Sequence, residues 1–150
     1  MNWNENDYQM KAIGRYPSVR LRRNRKEDWS RRLVQENNLS ANDLILPIFL
    51  IEGKNKKQPI KTMPDVYRYS IDKLSIIIDK ALKYKIPMVA LFPFTNPKLK
   101  DNSGSEAINE NNLVCKAIRY IKKKYKNKIG IMCDVALDPY TTHGHDGLLK

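Results

Sequence analysis

Three nearly continuous apolar runs stand out from a polar chain, at residues 44–52, 88–94 and 129–135. The first lies between Asp43 and Gly53, and the second follows Pro87. Apolar runs of this length, without alternation, read as strands buried on both faces, as in a parallel sheet or barrel. Between them the period changes to that of a helix. Leu74, Ile77, Ile78, Ala81 and Leu82 share one face over residues 71–85. Leu113, Val114, Ala117, Ile118 and Ile121 do the same over 112–126, with Lys122, Lys123 and Lys124 at the solvated end. The intervening stretches are polar. Residues 53–70 carry Pro59 and Pro64, residues 95–109 are rich in Asn, Pro, Gly and Ser, and residues 136–150 hold Pro139, Gly144 and Gly147.

Strands alternating with helices predict a parallel sheet with crossover helices. The expected fold class is α/β, preceded by an extended N-terminal arm over residues 1–26. Three strands and two crossover helices make an incomplete α/β domain, because a covering helix is due after the third strand and its loop. Residues 27–37 predict a further helix, with Trp29, Leu33 and Val34 sharing a face and Glu27 and Asp28 favourable at its start. The arm ends in a basic stretch containing Arg20, Arg22, Arg23 and Arg25. It is either a solvated tail or a segment that docks on a partner subunit through those arginines.

Composition narrows the function classes. The formal charge is +12, from 28 Lys and Arg against 16 Asp and Glu. Nineteen of those cations are Lys, beside 14 Asn and 15 Ile, all residues with AT-rich codons. The lysines are spread along the chain rather than gathered on one face with aromatics or Arg, so nucleic-acid binding is not expected. No apolar run approaches the roughly 20 residues of a membrane helix, so no membrane partner is expected. The first 14 residues have neither an apolar core nor an Arg- and Ser-rich run, which points to the cytoplasm. Two cysteines, Cys115 and Cys133, exclude a disulfide scaffold and a four-cysteine zinc site.

Reactive side chains are densest from Cys133 to Gly147, after the third strand. Loops at the carboxyl ends of parallel strands build active sites. Alternation puts Asp134, Ala136 and, if the strand continues, Asp138 on one face, with Asp146 returning on the loop. These carboxylates could hold a hard cation such as Mg²⁺ or act as acid and base. Simpler readings stand beside each. Asp134 could cap a loop, and Asp138 before Pro139 is an ordinary turn signal. His143 and His145 could be a metal pair or plain loop residues. Cys133 reads as packing rather than as a nucleophile. With Cys115 on a helix and Cys133 facing away from Asp134, the two thiols are not expected to converge.

The stretch DVALDPYTTHGHDG at 134–147 resembles the metal-loop signature of the 5-aminolevulinate dehydratase (porphobilinogen synthase) family. Further blocks fit the same family in order: RLRR at 20–23, DLILPIF at 43–49, MPDVYR at 63–68, VALFP at 89–93 and GSEA at 104–107. The resemblance runs from about residue 15 to residue 150. It implies that residues 27–150 are the N-terminal part of a (β/α)8 TIM-type barrel, its first three strands, and that the arm embraces a neighbouring subunit, usually in octamers. It also implies condensation of two 5-aminolevulinate molecules to porphobilinogen, with loss of water, in tetrapyrrole and haem synthesis. The two Schiff-base lysines of the family belong to the second half of the barrel, and no lysine here matches them.

By the same resemblance, Asp134 matches an aspartate kept beside the reacting substrate. Ala136, Asp138 and Asp146 stand where zinc-type members carry cysteines. That implies no catalytic cysteine-zinc site, and Mg²⁺ at Asp138 and Asp146 as the cofactor, if any. Tyr140 and His145 belong to the same active-site loop. Phe92 and Ser105 are assigned to the substrate pocket, with core packing the alternative for Phe92. Two classes of function follow: an enzyme or its N-terminal part, completed by a C-terminal half and by oligomerisation through the arm, or a non-catalytic fragment, at the limit a basic binding module.

Overall fold

All three apolar runs become strands. In the computed structural model, which describes residues 14–20 and 22–147, they are β1 (Ile45–Ile51), β4 (Met88–Phe94) and β5 (Gly130–Cys133). Two further strands, β2 (Lys57–Pro59) and β3 (Tyr67–Tyr69), lie in the stretch that reads as a polar excursion. The sheet order is β2-β3-β1-β4-β5. β1, β4 and β5 are parallel and adjacent in the expected order, with Ile48 opposite Leu91 and Leu91 opposite Cys133. β3 runs parallel to β1 but meets only Phe49 and Leu50, and β2 returns antiparallel along β3.

Helices α2 (Leu74–Lys83) and α3 (Leu113–Tyr125) follow the predicted stripes. Asn112 caps α3 by accepting the amide of Cys115 at 2.8 Å, which satisfies one of the helix's unpaired N–H groups. α2 closes with Lys85 at φ +59°, while the Ile86 amide returns to the Ala81 carbonyl at 2.9 Å. Leu74, Ile78 and Ala81 of α2 and Leu113, Ala117 and Ile121 of α3 pack with Ile48, Leu50, Val89 and Leu91 of the sheet. Burial of each large side chain in this layer is worth roughly 1.5–3 kcal/mol. The Tyr125 hydroxyl donates to Asp79 at 2.7 Å and ties α3 to α2.

That layer covers only one face of the sheet. Burial along β1 alternates, with Ile48 and Leu50 buried and Ile45 and Pro47 exposed. By register, Ile45, Phe49, Met88, Phe92, Phe94 and Met132 share the other face. Ile45, Phe92, Phe94 and Met132 are 38–48 % exposed. The expectation of strands buried on both faces is therefore corrected. The apolar residues are on both faces, but nothing among the described residues of this unit covers the second one. We call it the open face.

The chain divides into two compact units, Met1–Asn38 and Leu39–Lys150, and the sheet belongs to the second. In the first, helix α1 is shorter than expected, Asp28–Leu33, and begins with Asp28 bonded to Arg32 at 2.9 Å. Its stripe is not inward: Trp29, Leu33 and Val34 are exposed, because six residues present no face broad enough to build a core. Of the arm expected at 1–26, residues 1–13 and residue 21 lie outside the described residues. The rest is exposed, with Arg20 stacked on Tyr16 at 5.5 Å.

Candidate active site

Two loops meet at the carboxyl ends of β4 and β5, and an aspartate from each organises them. Asp101 forms an isolated parallel bridge with Thr141. Its amide donates to the Tyr140 carbonyl at 3.3 Å, and its carbonyl accepts from the Thr142 amide at 3.0 Å. Its carboxylate accepts the amides of Ser103 and Ser105 at 2.9 and 3.0 Å, and both serine hydroxyls. The Ser105 side chain, then its amide, and then Ser103 favour the charged form and hold this carboxyl down at about 2. The Thr142 hydroxyl donates to the Asn102 side chain at 2.6 Å. His143 Nδ1 accepts the His145 amide at 3.3 Å, which leaves the proton on Nε2, 3.2 Å from the Asn102 carbonyl.

Asp146 closes the second loop on itself. One carboxylate oxygen accepts the amides of Leu137 and Asp138, at 2.7 and 3.1 Å. The capping role considered for Asp134 thus falls to Asp146. Thr141, buried, donates to the His145 carbonyl at 3.0 Å. Gly104 is buried at φ +67°, a backbone conformation that strains any residue with a side chain, and a Cβ there would lie in contact with both Leu137 and Thr141 at 3.4 Å.

The predicted site residues fall into three groups. Asp134, Asp138, His145 and Asp146 are exposed in or beside the loop after β5. The strand ends at Cys133, so Asp138 does not continue its alternation and lies in a turn. Asp134 is the first residue beyond β5, and Phe92, on the open face, is paired with Phe49 at 5.8 Å. Tyr140 is buried, and burial, then charge on Cys115, Glu106 and Cys133, pushes its hydroxyl pKa up. It is an anchor holding the loop to the layer beneath it. Ser105 is bonded to Asp101 rather than turned towards the open face.

Cys133 points to the helix side of β5, which is the side α3 covers. Burial, then charge on Cys115, raises the Cys133 thiol pKa. Both are free thiols. Among the described residues, no three His, Cys, Asp or Glu side chains converge as metal ligands.

Asp101 and Asn102 are the residues that sequence reasoning missed. Their signal was the run DNSGS at 101–105, because Asp, Asn and Ser bond nearby backbone in turns. Its partners, however, stand some forty residues away. Thr95, at the end of β4, is also new, with a buried hydroxyl that has no protein partner.

Residues 18–150 match the family model described as delta-aminolevulinic acid dehydratase. The delta-aminolevulinic acid dehydratase of Bradyrhizobium diazoefficiens is 55% identical over 132 residues, covering 88% of this chain and 37% of that protein. That of Chlamydia pneumoniae is 44% identical over 131 residues, covering 87% of this chain and 39% of that protein. A crystal structure of the Toxoplasma gondii enzyme, in complex with the reaction product porphobilinogen, matches with a TM-score of 0.77 at 36% identity. That match covers 88% of this chain and 37% of the other. The chain thus spans less than half the length of these relatives.

Proposed function

The chain belongs to the delta-aminolevulinic acid dehydratase family, and from that premise we propose that it supplies the first part of a porphobilinogen synthase barrel. The reaction would be the condensation of two 5-aminolevulinate molecules to porphobilinogen, in tetrapyrrole synthesis. The observation that carries this reading is the braced loop after β5. Asp134 stands exposed just beyond that strand, beside a loop that Asp101, Asn102 and Asp146 brace.

In this reading the open face is the barrel lumen. Phe92 and Phe49 form its apolar wall, and Asp134 accepts or returns a proton at the reacting carbon chain. Ser105 acts through Asp101, as a positioning residue for the loop. Tyr140 anchors that loop, and His145 bonds within it. Amine catalysis on a ketone needs a lysine kept neutral by desolvation or by neighbouring cations. Among the described residues no lysine is buried, so the amines would come from the rest of the barrel.

The donor set does not make a magnesium cage. Asp146 is engaged with two amides of its own loop, and Asp138 alone offers one carboxylate, where Mg²⁺ seeks six oxygens. No step is routed through a metal. Where zinc-type relatives would place thiols, the chain has Ala136, Asp138 and Asp146. The arm over residues 1–26, together with the exposed Trp29 and Leu33 of α1, would pack on a neighbouring subunit of a homo-oligomer. Free thiols at Cys115 and Cys133 suit a cytoplasmic setting, and among the described residues no helix is long and apolar enough to cross a membrane.

The test is complementation. The purified chain is mixed with a separately produced C-terminal part of a related dehydratase and given 5-aminolevulinate. Porphobilinogen should form in the mixture, and Asp134→Asn should lower its rate by roughly a hundredfold or more, as loss of a proton-transfer group does. A mixture equally active with Asp134→Asn would overturn the role given to Asp134.

A further inference from the structure

Lysines that the sequence spreads are gathered by the fold. α2 and α3 run back along the sheet, so their carboxyl ends lead into the amino ends of β4 and β5. Met88 and Gly130 open those strands opposite each other, and the Gly130 amide donates to the Pro87 carbonyl at 2.8 Å. The two helix-to-strand loops therefore enter the sheet side by side. The bond from the Tyr125 hydroxyl to Asp79 holds the last turn of α3 to α2. Residues 80–85 carry three lysines and residues 122–128 carry five, and all eight are exposed. Eight of the chain's 19 lysines stand at one end of one layer.

Ion pairs among the described residues are confined to Lys26, Glu27, Asp28, Arg31 and Arg32, so none of the eight has a carboxylate partner. Two carboxylates at the same end are engaged elsewhere. Asp79 accepts the Tyr125 hydroxyl at 2.7 Å, and Asp43, ahead of β1, accepts the amide and hydroxyl of Ser40 at 2.7 and 2.9 Å. A lysine in the last turn answers the negative end of a helix dipole. Eight brought together go beyond that. They repel one another, and a surface of negative charge relieves the repulsion.

We infer that this end of the layer docks on an anionic lipid surface. Lysine is a compact point charge on a flexible stem, suited to a plane of phosphates that offers no fixed geometry. Clusters of about four to eight lysines hold a protein to anionic headgroups by charge, so the contact needs no spanning run. Tyr84, 57 % exposed just after α2, adds an aromatic ring with a polar tip, which suits the headgroup layer. Nucleic acid fits this end less well. Its readers use arginine forks and stacked aromatics, and residues 80–85 and 122–128 contain no arginine. The loops after β4 and β5 lie at the opposite ends of the same strands, so docking leaves the candidate site facing away from the lipid.

The test is co-sedimentation of the whole chain with vesicles of phosphatidylcholine, with and without phosphatidylglycerol. Binding should require phosphatidylglycerol and vanish at about 1 M salt, where the Debye length falls to about 3 Å. Lys122→Gln, Lys123→Gln and Lys124→Gln together should weaken it by roughly a hundredfold. Lys54→Gln, Lys56→Gln and Lys98→Gln together remove the same charge from the carboxyl ends of β1 and β4, and should weaken it by less than roughly threefold. Equal losses in the two triple variants would make net charge the cause and overturn the inference. Equal binding to phosphatidylcholine alone, no binding to the anionic vesicles, or tighter binding to a duplex RNA at the same phosphate concentration would each overturn it too. If the variant in α3 loses its dispersed amide spectrum, Lys83→Gln with Lys128→Gln replaces it, and binding unchanged by that pair overturns the inference equally.

Discussion

The two faces of one sheet carry equally apolar residues and have different fates. On the helix side Ile48, Leu50, Val89 and Leu91 are at most 1 % exposed, under the stripes of α2 and α3. On the open side Ile45, Phe92, Phe94 and Met132 alternate with them along the same strands and remain 38–48 % exposed. Side-chain chemistry does not explain the difference, since Phe is as apolar as Leu. Cover does: two helices are present for one side, and nothing among the described residues of the unit serves the other. A strand that reads as buried on both faces is a strand written for a closed barrel. Its second face shows which part of that barrel is not supplied by these 150 residues.

If cover decides, truncation should hurt one face far more than the other. Ile48→Ala or Leu91→Ala should cost roughly 2–5 kcal/mol in urea unfolding, as buried large-to-small changes do. Met132→Ala should cost less than about 1 kcal/mol, because the side chain is already half in water. Similar losses for the two kinds of variant would mean that the open face is packed in solution.

A second contrast lies between the sheet and the loops above it. Asp101→Asn removes the charge that Ser103 and Ser105 satisfy. Amides in residues 95–109 and 136–147 should then exchange roughly tenfold faster, by local opening, while the strands keep their protection. Acid should act in the same sense. The folded carboxyl titrates at about 2, below the 3.8 of the free group, so its contribution is complete above 3.8. It is lost as pH falls towards about 2. Exchange in these loops that does not change between pH 5 and pH 2 would dismiss Asp101 as their tie.

The smallest effect tests a local feature of the helix layer. Lys85 sits at φ +59° after α2, a conformation that glycine adopts without strain. Lys85→Gly should stabilise the chain by roughly 0.5–1 kcal/mol, read from the urea midpoint. A destabilised variant would place the helix terminus differently.

Much of this was legible in the sequence. The runs at 44–52, 88–94 and 129–135 and the stripes of α2 and α3 were read within a few residues, because each signal is local and repeats. β2 and β3 were not, since three residues such as Lys57-Gln58-Pro59 show no period, and Pro59 is tolerated only because that strand is an edge. Trp29, Leu33 and Val34 share a face at helical spacing and are exposed, since periodicity tells which residues share a side and not what lies against it. The site's position, after β5, followed from the topology of parallel sheets. Its internal wiring did not. Asp146 meeting the Leu137 and Asp138 amides and Asp101 bridging to Thr141 both depend on how separate segments fall together in space.

The central claim is that the open face and its strand edges belong inside a completed barrel. β3 meets β1 only at Phe49 and Leu50, so among the described residues the edge of residues 45–48 on that side is unpaired, as is the outer edge of β5. Amide hydrogen exchange across residues 45–48 and 130–133 tests the claim most directly, for the chain alone and with the C-terminal part of a related dehydratase added. The account predicts roughly tenfold or greater protection at both edges on mixing, with little change in α2 and α3. Edges that exchange equally fast with and without that part would contradict it.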